Sequence, residues 1–81
     1  MVASCKGFEV RKVQWIGRWG APDRVIFAPG GVVVWVELKA PGKKPRPNQL
    51  REHERMRAMG QRVEVIDSID GVDRLVMELR L

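Results

Sequence analysis

Asp23-Arg24-Val25-Ile26-Phe27-Ala28-Pro29-Gly30-Gly31-Val32-Val33-Val34-Trp35-Val36-Glu37-Leu38-Lys39 decides the fold. Pro29-Gly30-Gly31 reads as a tight turn, because glycine adopts positive φ at no steric cost. Val32–Lys39 is a strand rich in β-branched residues. Val32, Val34, Val36 and Leu38 share one face; Val33, Trp35, Glu37 and Lys39 share the other. Both faces are largely apolar, which predicts a central strand covered on both sides. Asp23–Ala28 is a second, shorter strand that folds back through the turn. Its first carboxylate then lands beside Glu37 and Lys39, although Glu37 lies fourteen residues after Asp23 in the chain.

Outward from this hairpin, Phe8–Trp15 is a loosely alternating strand and Gly17–Pro22 a loop carrying two glycines and a proline. On the other side, Ala40–Pro47 is a loop with three prolines and the cations Lys43, Lys44 and Arg46. A helix is expected from Pro47 or Asn48 to about Met59, capped by Asn48 and stopped by Gly60. Helical spacing places Gln49, His53, Met56 and Gly60 on one face, with Leu50 and Arg57 at its margin and Arg51, Glu54, Arg55 and Ala58 toward solvent. Met56 and Met59 read as core filler. A strand over Val63–Asp67 follows. A final helix is capped by Ser68 or Asp70 and carries an apolar stripe of Val72, Leu75, Val76 and Leu79. The order is β-β-β-α-β-α. The first helix crosses over and returns Val63–Asp67 parallel to Val32–Lys39, right-handedly. An α/β fold with a small mixed sheet flanked by helices is the expectation, as one domain over residues 1–81.

Eighty-one residues bury only roughly 60% of their unfolded surface, so association with a second copy would add stability. The 44% apolar and 31% charged content is that of a folded chain rather than a disordered one. A net charge of +5 favours a polyanion partner, although basic chains also bind anionic membranes. No apolar run approaches the roughly 20 residues of a membrane span, and no membrane partner is expected. Met1–Lys6 lacks a signal-peptide core, and the single Cys5 forms no internal disulfide. A cytoplasmic location is therefore expected. With one Cys and one His, a Cys/His zinc site within one chain is excluded.

Two carboxylates and an ammonium at one sheet edge suit a hard divalent cation held against a phosphodiester. Asp23 and Glu37 supply carboxylate ligands, and the carbonyl of Leu38 a third. Lys39 orients the attacking water or stabilises developing charge. Gln49, at the start of the helix on its sheet-facing side, reaches the water, a ligand or the phosphate. The commonplace readings are that Glu-x-Lys marks a solvated strand face and Pro-Asp a turn. Their combination at hairpin spacing in a basic chain, with Trp35 sharing the face, tells against those readings, since ionisable groups beside apolar bulk are costly without a partner. Lys43, Lys44 and Arg46 would most often be a solvated linker; functionally they are phosphate contacts, a surface that Arg18, Arg24, Arg51 and Arg55 extend. His53 reads as a packed or hydrogen-bonded helix residue ahead of a base. Trp15 and Trp19 read as core or interface, base stacking being the alternative.

Three blocks carry a resemblance. Gly20-Ala21-Pro22-Asp23-Arg24, then Val36-Glu37-Leu38-Lys39-Ala40-Pro41-Gly42-Lys43, then Pro45-Arg46-Pro47-Asn48-Gln49-Leu50-Arg51-Glu52-His53-Glu54 closely resemble the VRR-NUC family of the PD-(D/E)xK nuclease superfamily. The resemblance runs from about Gly17 through the Val63–Asp67 strand to the C-terminus. It implies a restriction-endonuclease-like core and Mg²⁺- or Mn²⁺-dependent cleavage of DNA. Asp23, Glu37 and Lys39 match the family's catalytic triad, and Gln49 its recurring helix glutamine. Members of this size are typical of phages and prophages, which implies the cytoplasm of a bacterial or phage-infected cell. They resemble Holliday-junction resolvases that act on branched DNA as homodimers. A catalytically weak or inactive DNA-binding module with the same fold is the second expectation, and a subunit completed by another polypeptide the third.

One departure from the family pattern is visible. Members carry an N-terminal helix whose acidic residue is a further metal ligand. Here about seven residues precede the first strand, and Glu9, the sole acidic residue before Asp23, falls on that strand. A shortened chain, substitution by Glu9 and loss of a second metal site are the three alternatives.

Overall fold

The computed structural model describes residues 7–80. The expectations for Met1–Lys6, Cys5 included, lie outside the described residues. The elements are β1 (Glu9–Lys12), β2 (Arg24–Ala28), β3 (Val32–Leu38), α1 (Pro47–Ala58), β4 (Arg62–Ile66) and α2 (Ile69–Leu79). Their order is the β-β-β-α-β-α read from the residues. The four strands form one mixed sheet in the spatial order β1-β2-β3-β4. β1–β2 and β2–β3 are antiparallel, and β3–β4 is parallel, as a helical crossover requires.

Pro29–Gly31 makes one short helical turn between β2 and β3, with Gly30 and Gly31 both at φ 78°. Ala28 then pairs with Val32, and Arg24 with Val36. Alternation sends Ile26, Val34 and Val36 to one face, where they join Phe8, Ile66 and Leu75 in the main core. α2 covers this face with the Val72, Leu75, Val76 and Leu79 stripe. The Ser68 hydroxyl caps α2 by accepting from the Gly71 N–H over 3.0 Å. The opposite face carries Val25, Trp35, Glu37 and Val63 and is covered by α1 through His53 and Met56. β3 is therefore central and sandwiched, which explains why both its faces are apolar.

Four local expectations are corrected. β1 ends at Lys12 rather than Trp15. Val13 makes one last bond to the Asp23 carbonyl (2.9 Å), after which Trp15 turns to donate its indole N–H to the Pro22 carbonyl (2.7 Å) and to pack on Trp35 at 5.3 Å between ring centres. α1 is capped at Arg46 and not by Asn48; the Gln49 side-chain oxygen accepts the Arg46 backbone N–H at 2.8 Å. The buried residues of α1 are Glu52, His53 and Met56, while Leu50 and Arg57 are exposed. Met59 is exposed, because the helix has ended at Ala58 and Gly60 turns the chain toward β4.

Candidate active site

The site forms where β2 begins and β3 ends. Antiparallel pairing brings Arg24 opposite Val36, so one residue further out Asp23 stands across from Glu37 on the α1 face. The Asp23 carboxylate accepts from the Leu38 backbone N–H at 3.4 Å, which holds the start of β2 to the end of β3. Two residues past Glu37, Lys39 emerges on the same face, its backbone N–H donating to the Ile66 carbonyl over 2.9 Å. α1 crosses this face. Its first turn places Gln49 against Lys39, and its second places His53 against Glu37.

Lys39 Nζ donates to Gln49 Oε1 at 2.7 Å. The same oxygen accepts the Arg46 N–H, so one side chain both caps α1 and aims the ammonium. Glu37 is 6% exposed, and its Oε1 has no hydrogen-bond partner. His53 is fully buried; its Nε2 lies 3.8 Å from Glu37 Oε1, beyond hydrogen-bond reach, and neither ring nitrogen has a partner. Burial, helped by the neighbouring Asp23 charge and opposed by Lys39 and Arg24, pushes the Glu37 carboxyl up to about 6. Burial also pulls the His53 imidazole below its ordinary value, as do the cations Arg57 and Lys39. This environment favours the neutral imidazole.

A carboxylate that is buried, faces a second carboxylate and has an orphaned oxygen is in an environment that disfavours its charge. A hard divalent cation would offset that cost, and the Asp23 and Glu37 carboxylates are oxygen donors of the kind such an ion takes. Among the described residues no third acidic, His or Cys side chain completes an all-side-chain cluster. Glu9 does not supply one: it pairs with Phe27 at the far end of the β1–β2 ladder from Asp23, and its carboxylate binds Arg11 at 2.6 Å.

The basic residues divide into two groups. Lys43, Lys44, Arg46 and Arg51 are exposed on the segment leading into α1 and on its first turns. Arg24 and Arg18 are tied down instead. Arg24 lies 3.2 Å from its neighbour's Asp23 carboxylate. Arg18 reaches from the Val13–Pro22 loop to Glu52 at 3.0 Å, and Arg55 holds the other oxygen of Glu52 at 2.8 Å. Sequence reasoning passed over Glu52. Burial alone would raise its pKa, but the two guanidinium bonds hold it below the ordinary carboxylate range. Its position one residue before His53 on the covered face of α1 was the available signal.

No protein-family model matches the chain. A solved structure described as a VRR_NUC domain superposes with a TM-score of 0.80 at 47% sequence identity, covering 88% of this chain and 77% of that one. The protein named "Putative nuclease p44" of Acyrthosiphon pisum secondary endosymbiont phage 1 is 51% identical, with 76% of this chain and 74% of that protein aligned. Fold and sequence identity agree: the chain belongs to the VRR-NUC family of nuclease domains.

Proposed function

We propose that this nuclease domain is a Mg²⁺- or Mn²⁺-dependent endonuclease that nicks branched DNA such as a four-way junction, acting as a homodimer. The observation that carries the reading is the buried Glu37 carboxylate, with one oxygen left unpartnered beside His53, standing across the β2–β3 ladder from Asp23 at the sheet edge where the Lys39 ammonium is hydrogen-bonded to Gln49. A divalent ion bound here would supply charge neutralisation at the phosphate and activation of a water.

The chain's own residues do the rest. Asp23, Glu37 and the Leu38 carbonyl would hold the ion at the sheet edge. Lys39, hydrogen-bonded to Gln49, would orient the water or meet the charge that develops on the phosphorus oxygens. Gln49 positions Lys39 at little entropic cost, because its oxygen is already anchored on the α1 N-terminus. Lys43, Lys44, Arg46 and Arg51 present exposed cations to the DNA backbone, and Arg18 and Arg24 add charge at the rim. Two such sites related by a two-fold axis would nick opposing strands of a junction symmetrically. A small domain with a thin core also gains stability from pairing.

The test is nicking of a synthetic four-way junction and a matched linear duplex with Mg²⁺ or Mn²⁺, alongside Lys39→Ala and sedimentation of the free protein. Preferential junction nicking, lost in Lys39→Ala with binding retained, is the expected result. Binding with no cleavage under either metal would overturn the enzymatic reading in favour of a DNA-binding module.

A further inference from the structure

We infer that the Val13–Pro22 loop is a stacking platform for an unpaired nucleobase next to the cut, with Trp19 and Ile16 as its contact surface. The inference rests on the nuclease reading and narrows its substrate to DNA that offers at least one unstacked base at the site. Ile16 is 101% exposed and Trp19 84%, the two most exposed large apolar side chains of the described residues. Their exposure does not come from a loose segment. Trp15 fastens the loop to itself and to the sheet through Pro22 and Trp35. Arg18, seated between Ile16 and Trp19 in sequence, is bonded to the buried Glu52 of α1. Gly20 lies so close to α1 that a Cβ there would stand 2.7 Å from the Asn48 carbonyl oxygen and 3.0 Å from the Gln49 Cα. The loop is pinned at three points and still turns its largest apolar groups outward. An exposed apolar surface of this kind marks a contact site.

The place of the loop identifies the partner. Pro22 runs directly into Asp23, and Gly20 rests on the residue that aims Lys39, so the platform borders the reacting centre. The Arg18 side chain is 47% exposed and remains a cation at its edge. An aromatic face with a cation at its edge suits an unstacked base with its phosphate, whereas a continuous duplex hides its base faces. A second copy of a chain with net charge +5 fits this cationic edge less well.

The experiment is a titration of wild type, Trp19→Ala and Ile16→Ala with an oligothymidine single strand and with a blunt duplex of equal length. It is read by tryptophan emission and anisotropy in EDTA, with sedimentation of each protein. Both side chains are exposed, so the variants fold. The single strand is expected to quench the wild-type emission and to bind Trp19→Ala about tenfold more weakly, or about 1.4 kcal/mol. Ile16→Ala weakens it less, and duplex affinity stays within about twofold in both variants. Absence of quenching, or equal losses for the two DNAs, would overturn the platform. A change of oligomeric mass in either variant would also overturn it and assign the loop to contact between copies. Because binding is read without metal, this outcome is separate from the nuclease reading, which fails only if metal-loaded wild type leaves every DNA intact.

Discussion

Lys39 and Gln49 are joined by a 2.7 Å hydrogen bond that links the end of the central strand to the first turn of the helix crossing it. The Gln49 oxygen is shared with the Arg46 N–H, so stability of the helix start and aim of the ammonium depend on one atom. Gln49→Ala should therefore lose both. We expect a cost of about 1 kcal/mol from the missing cap, seen as a fall of roughly 4–8 °C in melting temperature. Cleavage should fall about tenfold with DNA affinity unchanged. Full activity in a variant with the lowered melting point would separate the two roles and leave Gln49 as a cap alone.

Lys39→Ala removes the charge itself. The expected loss in kcat is about 10²–10³-fold, the size seen when one preorganised stabilising group is deleted. Binding measured in Ca²⁺ should stay the same. An unaffected cleavage rate would remove Lys39 from the chemistry.

The raised Glu37 pKa makes a signed prediction. Its folded value of about 6 exceeds the ordinary 4.5, so the native state favours the protonated carboxyl. The metal-free protein keeps this contribution in full below about pH 4.5 and loses it as pH rises through about 6, a change of about 2 kcal/mol. Glu37→Gln removes the ionisation, so urea unfolding should show it gaining on wild type between pH 4.5 and pH 8. Mg²⁺ should raise the wild-type melting temperature at pH 8 but not at pH 4.5, because the ligand must be deprotonated. A pH-independent gap between the two proteins would contradict the burial argument.

Lys43→Ala with Lys44→Ala tests the loop before α1. If both exposed ammonium groups meet phosphates, the slope of log affinity against log salt should flatten by about 2. Preference for junction over duplex should be unchanged. An unaltered slope would take this loop out of the interface.

Glu52 joins the Val13–Pro22 loop to α1 through Arg18 and Arg55, whose own side chains are about half exposed. Glu52→Ala leaves two solvated cations rather than buried ones, so the expected cost is about 1–2 kcal/mol and not that of a fully buried pair. Chymotrypsin cleavage after Trp19 should accelerate as the loop comes free. Equal cleavage rates in the two proteins would show that Gly20 and Trp15 hold the loop without Arg18.

The sequence by itself determined the element order, the central strand and the α2 stripe, because these follow from period-two and period-3.6 patterning and from glycine turns. It also determined that Glu37 and Lys39 share a face, since strand alternation admits no other arrangement, and that Asp23 can be folded back to them. Only the tertiary structure decided how those groups are held. The ladder register sets Asp23 against Glu37 and carries Glu9 to the opposite end of the sheet. The crossing of α1 buries Glu37 against His53, gives Gln49 its double role and makes Glu52 an anchor rather than a solvated helix residue. Burial, orphaned polar atoms and pairings between residues distant in sequence arise from packing one element on another, and no local periodicity encodes them.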